Sequence, residues 1–133
     1  MIFVRAKGKA DQMIIHGKER GFKLTVGASS KISKLCPGKD IKNIGKLFKD
    51  IDTATMIDYI AEICSLLSEG YENSKKYEEP GYVPDILSAD EVMTLGIDEI
   101  SELQDEMMTT IEKDMGTTIK TEPVKSGKKT GKK

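Results

Sequence analysis

The chain has 133 residues, the length of one ordinary domain. Only 38% of its residues are hydrophobic and 32% are charged, with no Trp, two Cys and one His, which allows a modest core and excludes a disulfide framework or a His-rich metal centre. The net charge of −1 conceals three blocks: twelve Lys/Arg against four Asp/Glu in residues 1–50, four against eighteen in 51–123, and five Lys without an acid in 124–133.

A basic head, an acidic body and a basic tail point to a protein that works by binding macromolecules. No apolar run approaches the roughly 18 residues of a membrane span. Met1-Ile2-Phe3-Val4-Arg5 lacks the basic start and apolar stretch of a secretory leader. The expectation is a cytoplasmic protein, and Cys36 and Cys64 fit a reducing compartment.

Residues 2–26 read as β structure. Phe22-Lys23-Leu24-Thr25-Val26 alternates with period two, as a half-buried strand does, and Met13-Ile14-Ile15-His16 precedes it. Gly17-Lys18-Glu19-Arg20-Gly21 reads as the loop of a hairpin between them. Ile2 to Lys7 is a candidate third strand. Beyond Gly27 the period becomes helical. Ser29-Ser30 can cap a short helix carrying Ile32 and Leu35, which Cys36-Pro37-Gly38 ends. Asp40 opens an amphipathic stretch with Ile41, Ile44, Leu47, Phe48 and Ile51.

Asp52-Thr53 offers the next cap, for a helix with a stripe of Met56, Ile57, Ile60, Ile63, Cys64 and Leu67 that can run past Gly70. Pro80 to Pro84 is a break. Ser88-Ala89-Asp90-Glu91 is a capping box for a short helix that stops or kinks at Gly96. The last helix carries Ile100, Leu103, Met107 and Ile111 on one stripe and ends at Met115-Gly116. After Pro123 the chain is polar, basic and of low complexity, and is expected to be disordered. The expected architecture is a single α+β domain over residues 1–122. It comprises a small antiparallel β unit (1–27), a body of four to five helices (28–122) with a linker near 80–87, and a disordered tail from 123 to 133.

No residue pattern carries catalysis. His16 has no second His, Cys or acidic cluster at ligand spacing. Cys36 falls at a helix C-terminus, where the dipole opposes a thiolate, and Cys64 falls on an apolar stripe. Gly127-Lys128-Lys129-Thr130 lacks the first glycine of a phosphate loop, that place being Glu122. Asp50-Ile51-Asp52 continues to Ala54, where a calcium loop needs a ligand. No catalytic, cofactor or metal site is expected.

Lys31, Lys34, Lys39, Lys42, Lys46 and Lys49 recur at helical spacing and could track phosphates, so a small nucleic-acid-binding regulator is the alternative function. Against it stand the scarcity of Arg and the −14 body. Met93, Met107, Met108 and Met115 are core filling or an adaptable surface for gripping a partner.

Gly21-Phe22-Lys23-Leu24-Thr25-Val26-Gly27-Ala28, followed by Ile32-Ser33-Lys34-Leu35-Cys36-Pro37, resembles the tail assembly chaperones of siphophages and prophages of Gram-positive bacteria. The resemblance continues through Asp40-Ile41, Thr53 to Leu67, Gly70-Tyr71-Glu72, Glu78 to Tyr82 and Leu103-Gln104, and covers roughly residues 13–122. It rests on order and short strings, without a catalytic signature. It implies a non-enzymatic cytoplasmic protein, absent from the mature virion, that binds the tape-measure protein and helps bring tail-tube subunits to it. It also implies that a frameshifted longer product can exist. On this basis Ile100, Leu103, Met107, Ile111 and Met115 are the candidate residues for client binding or self-association.

Overall fold

His16 and Gly17 both take left-handed backbone angles, φ 52° and 79°, the pair that a two-residue hairpin turn of the primed type requires. That turn places the first two strands. In the computed structural model, which describes residues 12–116, β1 (Gln12–Ile15) pairs antiparallel with β2 (Lys18–Gly21), with Met13 opposite Arg20 and Ile15 opposite Lys18. Met13 and Ile15 point into the core.

The hairpin is therefore present but shifted. The residues expected as its loop, Lys18–Gly21, are its second strand, because a two-residue turn sets the pairing immediately after Gly17. Of Phe22–Val26, expected as that strand, Phe22–Thr25 instead runs as a connection against the long helix α3 (Thr53–Glu78), where the Lys23 amide donates to the Leu67 carbonyl at 3.1 Å, and Val26 opens a helix. Phe22 is buried, whereas Val26 is 89% exposed. The expected strand Ile2–Lys7 and the tail beyond Pro123 lie outside the described residues.

Helix α1 (Val26–Ser33) starts earlier than Ser29-Ser30 because the Thr25 hydroxyl accepts from the Ala28 amide at 3.1 Å. Ile32 packs inward, and the chain turns through Pro37 and Gly38 (φ 70°). Asp40 does cap the next segment, accepting from the Lys42 amide at 2.9 Å, but the helical structure it opens is short: a 3₁₀ turn at Ile41–Asn43 and one turn of α2 (Ile44–Leu47). Ile41, Ile44 and Leu47 stand three apart, which suits 3₁₀ geometry as well as α. They are buried with Phe48, whose ring meets Tyr59 edge-on at 6.2 Å.

Asp52 caps α3, accepting from the Thr55 amide at 2.7 Å. This helix carries Met56, Ile60, Ile63, Cys64 and Leu67 into the core and passes through Gly70 to Glu78. Ser88 caps α4 (Ala89–Val92), accepting from the Glu91 amide at 3.1 Å. Gly96 begins α5 (Ile97–Met115), where its amide donates to the Glu99 carboxylate at 2.8 Å, and Gly116 (φ 74°) ends it. Helix α5 packs on α3, with α1 and α4 against other parts of the same helix. Among the described residues the result is a two-stranded antiparallel sheet followed by a body of five α-helices, an α+β plan. No helix among the described residues is long and apolar enough to cross a membrane.

Candidate partner-binding surface

Both cysteine thiols are buried, where ionisation is disfavoured. Cys36 is buried, and its thiol is pushed up to about 11 by desolvation and by Asp40. Cys64 is fully enclosed, and burial, with the Glu106 charge second, raises its thiol further. His16 occupies the hairpin turn, with Nε2 2.8 Å from the Thr94 hydroxyl. Among the described residues no group of three or more His, Cys, Asp or Glu could hold a metal ion.

A concavity lies between α1 and the C-terminal half of α3. This groove of about 510 Å³ is lined by Thr25, Gly27 and Ala28 on one side and by Gly70, Asn73 and Tyr77 on the other. Gly27, Ala28 and Gly70 bring small residues to its lining. The backbone approach is also close: a Cβ on Gly70 would lie 2.5 Å from the Lys23 carbonyl oxygen and 2.9 Å from Thr25 Oγ1. Glycine at this helical position is what lets the 22–25 connection cross α3.

Two polar arrangements frame the groove. Lys31 of α1 reaches Glu69 of α3 at 3.0 Å. Lys23 donates to the Ser74 hydroxyl at 2.9 Å, and Ser74 donates to Glu78 at 3.4 Å. Of the lining residues Tyr77 is 85% exposed, and Val26, the sequence neighbour of the lining residue Gly27, is 89% exposed.

The five residues expected to meet a client lie elsewhere. Leu103, Met107 and Ile111 are fully buried, Ile100 is 3% exposed and Met115 is half-buried against the same core. They are the side chains by which α5 joins the chain's own core, so the folded chain offers no open stripe there. Met108 is also buried, and only Met93 of that group, at 46%, is substantially exposed. The head lysines Lys34, Lys39, Lys42, Lys46 and Lys49 are exposed, while Lys31 is engaged by Glu69.

Sequence reasoning misses the groove because Val26 fits the alternation of a half-buried strand. The one available signal is the coincidence of Gly27-Ala28 and Gly70, small residues on two helices. It also misses two nearly buried charges, Arg20 at 4% and Glu72 at 5% exposure. Arg20 donates to Glu91 at 3.1 Å and to the Asp85 carbonyl at 2.7 Å. Glu72 accepts from the Tyr82 hydroxyl and from the Asp85 amide, the latter at 3.0 Å. The Tyr82 hydroxyl is accordingly pushed up to about 12, chiefly by its bond to Glu72. The chain matches no protein-family model, no curated protein and no solved structure.

Proposed function

We propose that this chain is a non-enzymatic tail assembly chaperone of a phage or prophage. It acts in the cytoplasm of the bacterial host, binds the tape-measure protein and assists recruitment of tail-tube subunits. The observation that carries the proposal is the α1–α3 groove, whose small lining residues and exposed Tyr77 suit a helix-in-groove contact with an apolar client face. The strings that carry the family resemblance, Gly21 to Ala28 and Gly70-Tyr71-Glu72, supply Thr25, Gly27, Ala28 and Gly70 to that groove. The acids of the 51–123 block that face solvent keep a complex with an aggregation-prone client dispersed.

Co-expression with the tape-measure protein of the same phage tests the proposal. A soluble complex is expected, and Val26→Asp combined with Tyr77→Asp, at two exposed positions, is expected to weaken it at least tenfold without unfolding the chain. Insoluble tape-measure protein with no co-purification overturns the chaperone function. A complex indifferent to the double substitution retains the function and removes the groove from it. Binding of DNA or RNA that falls steeply with added salt would instead support the regulator, acting through the exposed lysines of the head.

A further inference from the structure

Residues 79–86, between α3 and α4, are exposed or half-buried throughout, and the first buried side chain after Glu72 is Leu87. The segment thus contributes no side chain to the deep core. What holds it is polar. The main-chain N–H of Asp85 is taken by Glu72 at 3.0 Å and its C=O by Arg20 at 2.7 Å. One residue's main chain is thus clamped between two oppositely charged, nearly buried side chains on different elements, α3 and β2. Glu72 also receives the Tyr82 hydroxyl, Lys18 pairs with the Asp85 carboxylate at the surface, and the Lys75 ammonium stands 5.2 Å from the centre of the Tyr82 ring.

The two ends are built differently. Leu87 is fixed by its side chain in the core and by its amide, which donates to the buried Ser68 hydroxyl at 2.8 Å. Gly81 has φ 87°, a conformation that favours glycine, and the turn around it is closed by the Tyr82 N–H donating to the Glu79 C=O at 3.1 Å, the bond that a pivot there breaks.

We propose that residues 82–86 form a latch that opens as a unit on an intact helical core, with Glu72 and Arg20 as its catch, Gly81 as its pivot and Leu87 as its fixed end. Opening exchanges a few protein hydrogen bonds for bonds to water and strips no deep apolar core, so it lies well below global unfolding in free energy. It releases Glu72 from the Asp85 amide and Arg20 from the Asp85 carbonyl, while Arg20 keeps its bond to Glu91.

Amide hydrogen exchange followed by NMR on the full chain tests the latch. The Tyr82 and Asp85 amides are expected to exchange through an opening that is insensitive to low urea. The Ile60, Leu103 and Leu87 amides should exchange only through urea-dependent unfolding. Glu72→Gln is expected to speed Asp85 exchange roughly tenfold or more relative to Ile60, as loss of a charge-assisted hydrogen bond does. Tyr82→Phe, which keeps Glu72 on the Asp85 amide, is expected to have a smaller effect. Exchange of Tyr82 and Asp85 with the same urea dependence as Ile60 and Leu103 overturns the latch, and so does an equal acceleration of all amides in Glu72→Gln. If that variant does not fold, the wild-type urea series and Tyr82→Phe decide by the same comparison.

Discussion

Gly70 sits in the middle of a helix, where glycine ordinarily costs about 1 kcal/mol relative to alanine. Here a methyl group would lie 2.5 Å from a main-chain carbonyl that cannot swing aside without moving the 22–25 connection. Gly70→Ala is expected to lower stability by about 1–3 kcal/mol, as overpacking does, despite the gain in helix propensity. Gly27→Ala, whose new methyl group would have its nearest contact at 4.0 Å, is expected to be neutral or stabilising by a few tenths of a kcal/mol. Urea midpoints of the two variants, compared with the parent, check both.

Two carboxyls tie stability to pH at the same scale. Asp52 is held below its ordinary value by hydrogen bonds from Thr55, and Asp85 by its bond from Lys18 and then by the Arg20 charge. A group with a lower pKa in the folded state contributes stability above its unfolded value, near 3.9 for Asp, and loses that contribution as pH falls through the folded value. Stability is therefore expected to decline below about pH 4, and Asp85→Asn is expected to shrink the difference between urea midpoints at pH 7 and pH 3. An unchanged difference would remove Asp85 from the account.

Among the elements, those with an internal stop signal are the easiest to read. The start of α3 at Asp52, the cap at Ser88 and the end of α5 at Gly116 all follow from local chemistry, a side-chain acceptor or a residue tolerant of positive φ. Phe22–Val26 is not the strand its pattern suggests, because alternation reports which side chains can point inward, not which backbone they pair with. Phe22 does point inward, but the connection lies on a helix.

The stripe of α5 shows the converse ambiguity. An apolar row at helical spacing has the same appearance whether it faces a partner or the chain's own α3, and Leu103, Met107 and Ile111 face inward. Met107→Ala is consequently expected to cost about 2–5 kcal/mol, visible as a lower thermal midpoint. A loss of client binding without a loss of stability would show that the stripe is offered outward after all.

At the scale of the whole molecule, the charge blocks and the buried polar groups serve different ends. The basic head and acidic body meet directly in Lys18–Asp85, Arg20–Glu91 and Lys31–Glu69, which join the first third of the chain to the remainder. The surface pairs Lys18–Asp85 and Lys31–Glu69 contribute little to stability. They do, however, complete the surroundings of the latch and of the groove. Composition already pointed to a small core, and the periodicity of residues 53–67 and 97–115 already specified its two principal helices. Both are properties of neighbours along the chain: caps, spacing and the sign of charge. The α1–α3 groove, the inward face of α5 and the clamp of Arg20 and Glu72 on Asp85 each depend on residues tens of positions apart. Only tertiary packing decided them, because the same apolar row or charged side chain satisfies its local rules whether it faces solvent, a partner or the chain's own interior.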